Sequence, residues 1–175
     1  EAKRFNINNN IFLINNSKIG IVDFRNILKE SITMQKLGKK FLEFEKRLND
    51  KIKKQEKILR DKELNLSLNK SKMSEKSYNI EKNNLKKEIT NLQKFAVSEK
   101  KELNVSFKLI QKKLRNVLAN VIKEISKDKN IDFVVLKENI FLINNFELDL
   151  TDKALKEFDK KTANLKIQFV KKKVK

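Results

Sequence analysis

Residues 103–125 read LNVSFKLIQKKLRNVLANVIKEI. Among their apolar side chains, Leu103, Phe107, Ile110, Leu114, Val117, Val121 and Ile125 follow one another in steps of 4, 3, 4, 3, 4 and 4. That spacing draws one apolar seam along a helix, and the seam needs a second helix to cover it. A matching seam lies upstream at Leu37, Phe41, Phe44, Leu48, Ile52, Gln55 and Leu59, with one stutter between Leu48 and Ile52. Both seams sit in long stretches free of glycine and proline, roughly residues 39–72 and 76–128.

Between these stretches, Asn69 to Glu75 reads NKSKMSE, poor in apolar residues and rich in side chains that end helices. The pattern predicts an antiparallel helical hairpin with its tip near residues 69–76. Each arm would span on the order of 70 Å at ~1.5 Å per residue. Toward the tip the seam thins to Leu66, Tyr78, Leu85, Ile89, Leu92 and Ala96, with Lys62, Lys82 and Glu99 in or beside it. The arms are therefore expected to be stiffest at their bases and more pliable distally.

Outward from the hairpin the period changes. Strand-like runs lie near 11–14, 19–23, 131–136 and 140–145, and Asn15 to Lys18 has the chemistry of a turn. The heptapeptide NIFLINN occurs twice, at 10–16 and 139–145, and its continuous apolar centre suits strands covered on both faces. The two copies are expected to play similar roles in one sheet. Helical spacing begins near Phe24. The long return helix is expected to end near Asn130, a residue tolerant of the left-handed conformation. Thr151 is placed to cap a final short helix carrying Ala154, Leu155 and Phe158.

The fold class that follows is α+β: a small β-rich oligomerisation head bearing a long, coiled-coil-like helical hairpin. Residues 1–24 plus 129–160 form the expected head, 25–128 the arm, and 161–175 a basic tail.

Charge separates the same regions. The 175-residue chain has 42 Lys+Arg against 23 Asp+Glu, a net charge of +19. Residues 36–115 carry +13 and residues 160–175 carry +7, whereas residues 116–159 carry −3. A partner of net negative charge would be steered to the arms, and less strongly as salt rises. The lysine-rich tail also suits contact with anionic lipid or lipopolysaccharide, at about 1 kcal/mol per basic residue near such a surface.

The chemistry of catalysis is hard to assemble here. Histidine and cysteine are absent, which removes the usual zinc ligands and thiol nucleophiles. Gly20 and Gly38 are the only glycines, too few for a phosphate-cradling loop. Glu43 and Glu45 stand two apart on a helix and do not share a face. No catalytic residues, metal site or cofactor are expected, and the protein reads as a non-enzyme. Nucleic acid is an unfavoured partner: five arginines, one tyrosine and no tryptophan leave little to read or stack bases.

With strand, hairpin and strand in order, particular residues resemble a known family. Ile19-Gly20-Ile21-Val22-Asp23 leading into Asn26-Ile27-Leu28-Lys29-Glu30-Ser31 is similar to the opening of the OmpH-like, or Skp, family. The closing pattern is similar too: Ile131-Asp132-Phe133-Val134-Val135, then Asp149-Leu150-Thr151 before Ala154-Leu155-Lys156. The resemblance covers about residues 18–158. Glu1 to Ser17 precedes the usual start and the lysine tail passes the usual end. Ile32 stands where the family commonly has proline, and helix is expected to run on through it.

The resemblance implies a homotrimer: three chains share a β-barrel-like body, and three hairpins surround a cavity. Unfolded outer-membrane proteins would be held there without ATP, in the periplasm, after removal of an N-terminal signal. Ile21, Phe133 and Val135 are the expected core or inter-subunit contacts. Client contact is expected off the covered seam or in the loosely packed distal arm, at Leu64, Leu68, Met73 and Tyr78, with Lys70, Lys72 and Lys76 supplying attraction. The alternative is a scaffolding coiled coil that pairs with a partner protein or an anionic membrane surface. Such a scaffold should keep its heptads strong to the tip.

Overall fold

The computed structural model describes residues 17–169. In chain order these form β1 (Ile19–Val22), α1 (Phe24–Glu30), α2 (Ile32–Leu68), α3 (Glu75–Asp128), β2 (Phe133–Leu136) and α4 (Thr151–Thr162). Short 3-10 turns lie at Lys70–Lys72, Lys137–Asn139 and Phe146–Leu148. The α+β class is as expected. The run near 11–14, the first heptapeptide copy and the end of the lysine tail lie outside the described residues.

The described residues form two compact units, one from 17–37 with Gln111–Lys166, the other from Gly38–Ile110 with 167–169. The first contains a two-stranded parallel sheet, in which Ile19, Gly20, Ile21 and Val22 pair with Phe133, Val134, Val135 and Leu136. Lys18 and Asp132 close one end reciprocally: the Lys18 amide donates to the Asp132 carboxylate (2.8 Å), and the Asp132 amide to the Lys18 carbonyl (2.9 Å). At the far side of β1, the Leu150 amide donates to the Ile21 carbonyl at 2.7 Å. Here Gly20 is required, since a Cβ would stand 2.8 Å from Leu150 Cδ1 and 3.2 Å from Ile131 Cδ1.

Ile21, Val22, Ile27, Leu37, Leu114, Leu118, Val121, Ile122, Ile125, Leu150, Ala154 and Phe158 are the buried apolar residues of this unit's core. Asp23 caps α1 by accepting from the Asn26 amide (2.8 Å), and α1 packs against α4. The return helix ends as its sequence suggests. Asn130 adopts φ +53°, its amide donates to Lys127, and the Ile131 amide donates to Ser126, a Schellman closure.

Three expectations need correction. Helix does not run on through residues 30–32. Ser31 adopts ψ 127°, and α2 starts afresh beyond it. The break is held by Asp159, whose carboxylate accepts from the Ser31 hydroxyl (2.6 Å) and from the Ile32 (3.0 Å) and Thr33 (3.3 Å) amides. A carboxylate from a distant helix thus caps α2. Thr162 donates to the Phe158 carbonyl, so the buried 2.7 Å contact between Thr33 and Thr162 uses Thr33 as donor.

Thr151 is not a cap either. Asp149 accepts from both the Thr151 amide (2.9 Å) and its hydroxyl, and the Thr151 hydroxyl accepts from the Asp23 amide (2.9 Å). Thr151 is itself the first helical residue, and its hydroxyl, engaged by Asp149 and Asp23, caps none of the free N–H groups of α4.

The third correction concerns residues 140–145, which form no strand. Phe141 is fully exposed and Leu142 largely so. A strand needs a ladder partner, and the segment finds none among the described residues of its own chain.

Candidate functional site

The second unit is an antiparallel pair of helices, residues 38–68 of α2 against 75–110 of α3. Phe41 meets Phe107 with ring centroids 4.4 Å apart, Lys51 lies 4.9 Å over the Phe95 ring, and Lys62 bonds Glu88 at 2.7 Å. Beyond the joint, Lys70 lies 5.4 Å over the Tyr78 ring. As residue numbers rise along one helix they fall along the other by nearly the same amount, so one continuous register is kept to the tip.

The joint is built from polar side chains. Asn69 donates its side-chain amide to the Asn65 carbonyl (2.9 Å), ending α2. Ser74 caps α3, its hydroxyl accepting from the Ser77 amide at 3.2 Å. Asn and Ser thus do what glycine or proline does in other turns.

Packing decays along this unit. Ile52, Leu59 and Leu103 are buried, but no residue from 60 to 102 is. Two helices can cover only one narrow seam each, and Leu42, Ile58, Ile80, Val97, Val105 and Leu109 remain exposed. An open cleft of about 380 Å³ runs along the pair, floored by Ile52, Leu59, Ile89 and Leu92 and rimmed by Glu56, Arg60 and Glu63. Residues 38–110 carry a net charge of +9.

The residues expected to contact a partner lie at this distal end. Leu64 and Leu68 stand one turn apart and are 60% and 68% exposed. Lys72 and Lys76 are exposed, whereas Met73 and Tyr78 are half-buried at the joint. Of this set the structure brings Lys70 and Tyr78 into contact. The cleft at Ile52–Val97 was missed by sequence reasoning, because its floor residues read as seam; only the missing partner heptads near Glu63 and Gln93 signal a gap.

Of the three expected assembly residues, Ile21 is buried within its own chain, Val135 is half-buried, and Phe133 is 47% exposed. No cluster of acidic, histidine or cysteine side chains suited to a metal occurs among the described residues. Among the same residues, no helix is long and apolar enough to cross a membrane.

The model of the family described as outer membrane protein (OmpH-like) matches residues 18–158. A putative outer membrane chaperone (OmpH-like) from Caulobacter crescentus has a similar crystal structure, with a TM-score of 0.78 at 12% identity over 87% of this chain and 89% of that one. No curated protein matches. The parallel strand pair, the hairpin between its strands and the extent of the family match agree, and the chain belongs to the OmpH-like outer membrane protein family.

Proposed function

We propose that the protein is an ATP-independent periplasmic holdase of the Skp type. In this reading three chains join through heads made of residues 1–24 and 129–160. Arms of residues 25–128 then surround a cavity that receives unfolded outer-membrane proteins and keeps them from aggregating. Support for a chaperone role comes from the family match and from the named relative of similar fold.

The observation that carries the mechanism is the distal hairpin, where exposed Leu64, Leu68 and Ile80 stand in a field of net positive charge. Lysines steer a negatively charged unfolded chain inward. Scattered leucines then each bury a little apolar area, at about 25 cal/mol per Å². Contacts of that size exchange quickly, which a holdase needs in order to release its client without ATP. Met73 and Tyr78 add adaptable and amphipathic surface at the tip.

The fading of burial beyond Leu59 favours this reading over a scaffolding coiled coil, whose seam would be kept for a partner helix. For assembly, Phe133 on β2 and the exposed Phe141, Leu142 and Phe146 offer apolar surface, with half-buried Val135 on the same strand and buried Ile21 on its partner strand. The three lysines of the tail from Lys171 to Lys173 would meet anionic lipid or lipopolysaccharide.

The test is dilution of a urea-unfolded outer-membrane β-barrel protein into buffer with and without this protein, with mass measured by light scattering. Suppressed turbidity and a trimeric mass are expected. Undiminished turbidity at a threefold molar excess of trimer would refute the holdase reading.

A further inference from the structure

Residues 167–169, past the end of the family match, lie against the helical hairpin. Ile167 is only 7% exposed, and Lys40 Nζ donates to its carbonyl at 3.4 Å. The Phe169 ring meets Phe44 edge-on at 5.1 Å and Phe41 at 6.2 Å. Phe41 itself stacks on Phe107 across the seam, and the Arg47 guanidinium covers Phe44 at 4.5 Å. Aromatic edges meeting faces in this way add to simple area burial.

The seat is larger than its occupant. With Phe169 as one wall, an open cleft of about 120 Å³ remains, lined by Phe44, Leu48 and Leu103 and bordered by Glu99, Glu102 and Ser106. Residues 167–169 belong to no helix or strand, and the burial of Ile167, the ring contacts of Phe169 and one long hydrogen bond hold them. No backbone ladder has to break for another extended segment to take their place. Ile167 and Phe169 alternate with Gln168, the pattern of an extended strand with one apolar face. Strands of membrane β-barrels read the same way, with aromatic girdles at their ends.

We propose that Ile167–Phe169 is a built-in surrogate client. It occupies an aromatic-accepting groove formed by Phe41, Phe44, Leu48 and Leu103, and an extended segment with alternating apolar and aromatic residues from an unfolded β-barrel displaces it. The proposal rests on the holdase reading and adds to it a second binding surface, at the other end of residues 38–110 from the tip. The strap keeps an apolar groove covered while no client is present and sets a threshold that weak, non-aromatic chains do not pass. A strap seated nine times in ten lowers apparent affinity about tenfold.

The chain contains no tryptophan, so full-length Phe169→Trp carries a single indole reporter at the groove. The probe is a dye-labelled, tryptophan-free peptide of alternating Phe/Val and Thr residues, with a Phe-to-Ser version as control. Two results are expected: saturating probe shifts the indole emission of Phe169→Trp to the red, and Phe169→Ala binds the probe up to about tenfold more tightly than wild type. A purely structural Phe169 would leave binding unchanged or weaken it.

The proposal is overturned if the indole emission stays put while anisotropy shows the probe bound, if Phe169→Ala binds no more tightly, or if neither variant binds the probe at all. Turbidity suppression by wild type, read in parallel, reports on the holdase function separately. Suppression without strap displacement removes the surrogate alone, and displacement without suppression removes the holdase alone.

Discussion

Asp159 is a side chain on which the start of α2 depends, and replacing it makes a sharp test of the fold. Its carboxylate accepts three hydrogen bonds, from the Ser31 hydroxyl and from the Ile32 and Thr33 amides. Loss of an N-cap costs about 0.5–2 kcal/mol. Ser31 is fully buried, so Asp159→Ala also strands its hydroxyl, at about 1–3 kcal/mol more. The two overlap, because the Ser31 hydroxyl still accepts from the Met34 amide at 3.3 Å, and a total of about 1–4 kcal/mol follows.

For a chain of this size each kcal/mol moves Tm by about 2–4 °C. Circular dichroism at fixed protein concentration should therefore show Asp159→Ala melting roughly 2–15 °C below wild type. Asp159→Asn keeps an acceptor for Ser31 and loses the charge at the helix start, so it should lose only about 1 kcal/mol. Equal melting of Asp159→Ala and wild type would refute the capping argument. An Asp159→Asn variant as unstable as Asp159→Ala would refute its division into charge and hydrogen bond.

Other expected outcomes concern charge, pH and packing. The rate of capture of an acidic unfolded β-barrel protein should fall about tenfold or more between 0.01 and 0.5 M salt, as screening shortens the reach of the arms' field; a stopped-flow rate that ignores salt would contradict steering. Burial pushes the Asp149 carboxyl up, but hydrogen bonds from Lys137 and Thr151 outweigh it and hold the group below its ordinary 3.8. Its hydrogen bond with Asp149, and that partner's charge, hold Lys137 above 10.5. Asp149 therefore contributes stability above about pH 4 that is lost as pH falls through its lowered value, and the Lys137 contribution persists up to alkaline pH. Urea unfolding should show Asp149→Asn less stable than wild type at pH 7, with the gap closing in acid; a gap independent of pH would contradict this. Gly20→Ala should cost about 1–3 kcal/mol, since its methyl would overlap the fully buried Leu150; an unchanged midpoint in the same assay would show that Leu150 can yield.

The long helices, β1, β2 and the turn at Asn130 were legible because each depends on neighbours in sequence: a repeated seam, a short β-branched run, a residue that accepts positive φ. The break at Ser31 was not legible, because its cause, Asp159, lies 128 residues away from Ser31. Residues 140–145 misled for the opposite reason. Their apolar run satisfies every local rule for a strand, yet no strand among the described residues pairs with it. The thinning of the seam past Leu59 was visible as missing heptad positions and is seen as loss of burial. The Phe169 seat was not legible, since its partners Phe41 and Phe44 are ordinary seam residues.

Placement of a photo-reactive side chain tests the central claim most directly. Installed at Leu68 in the distal hairpin, or at exposed Lys156 on α4 as the control, it is irradiated with bound, unfolded β-barrel client. Client adducts should form at position 68 in clear excess over position 156. Equal yields at the two positions, or a preference for 156, would contradict the hairpin as the place where clients are held.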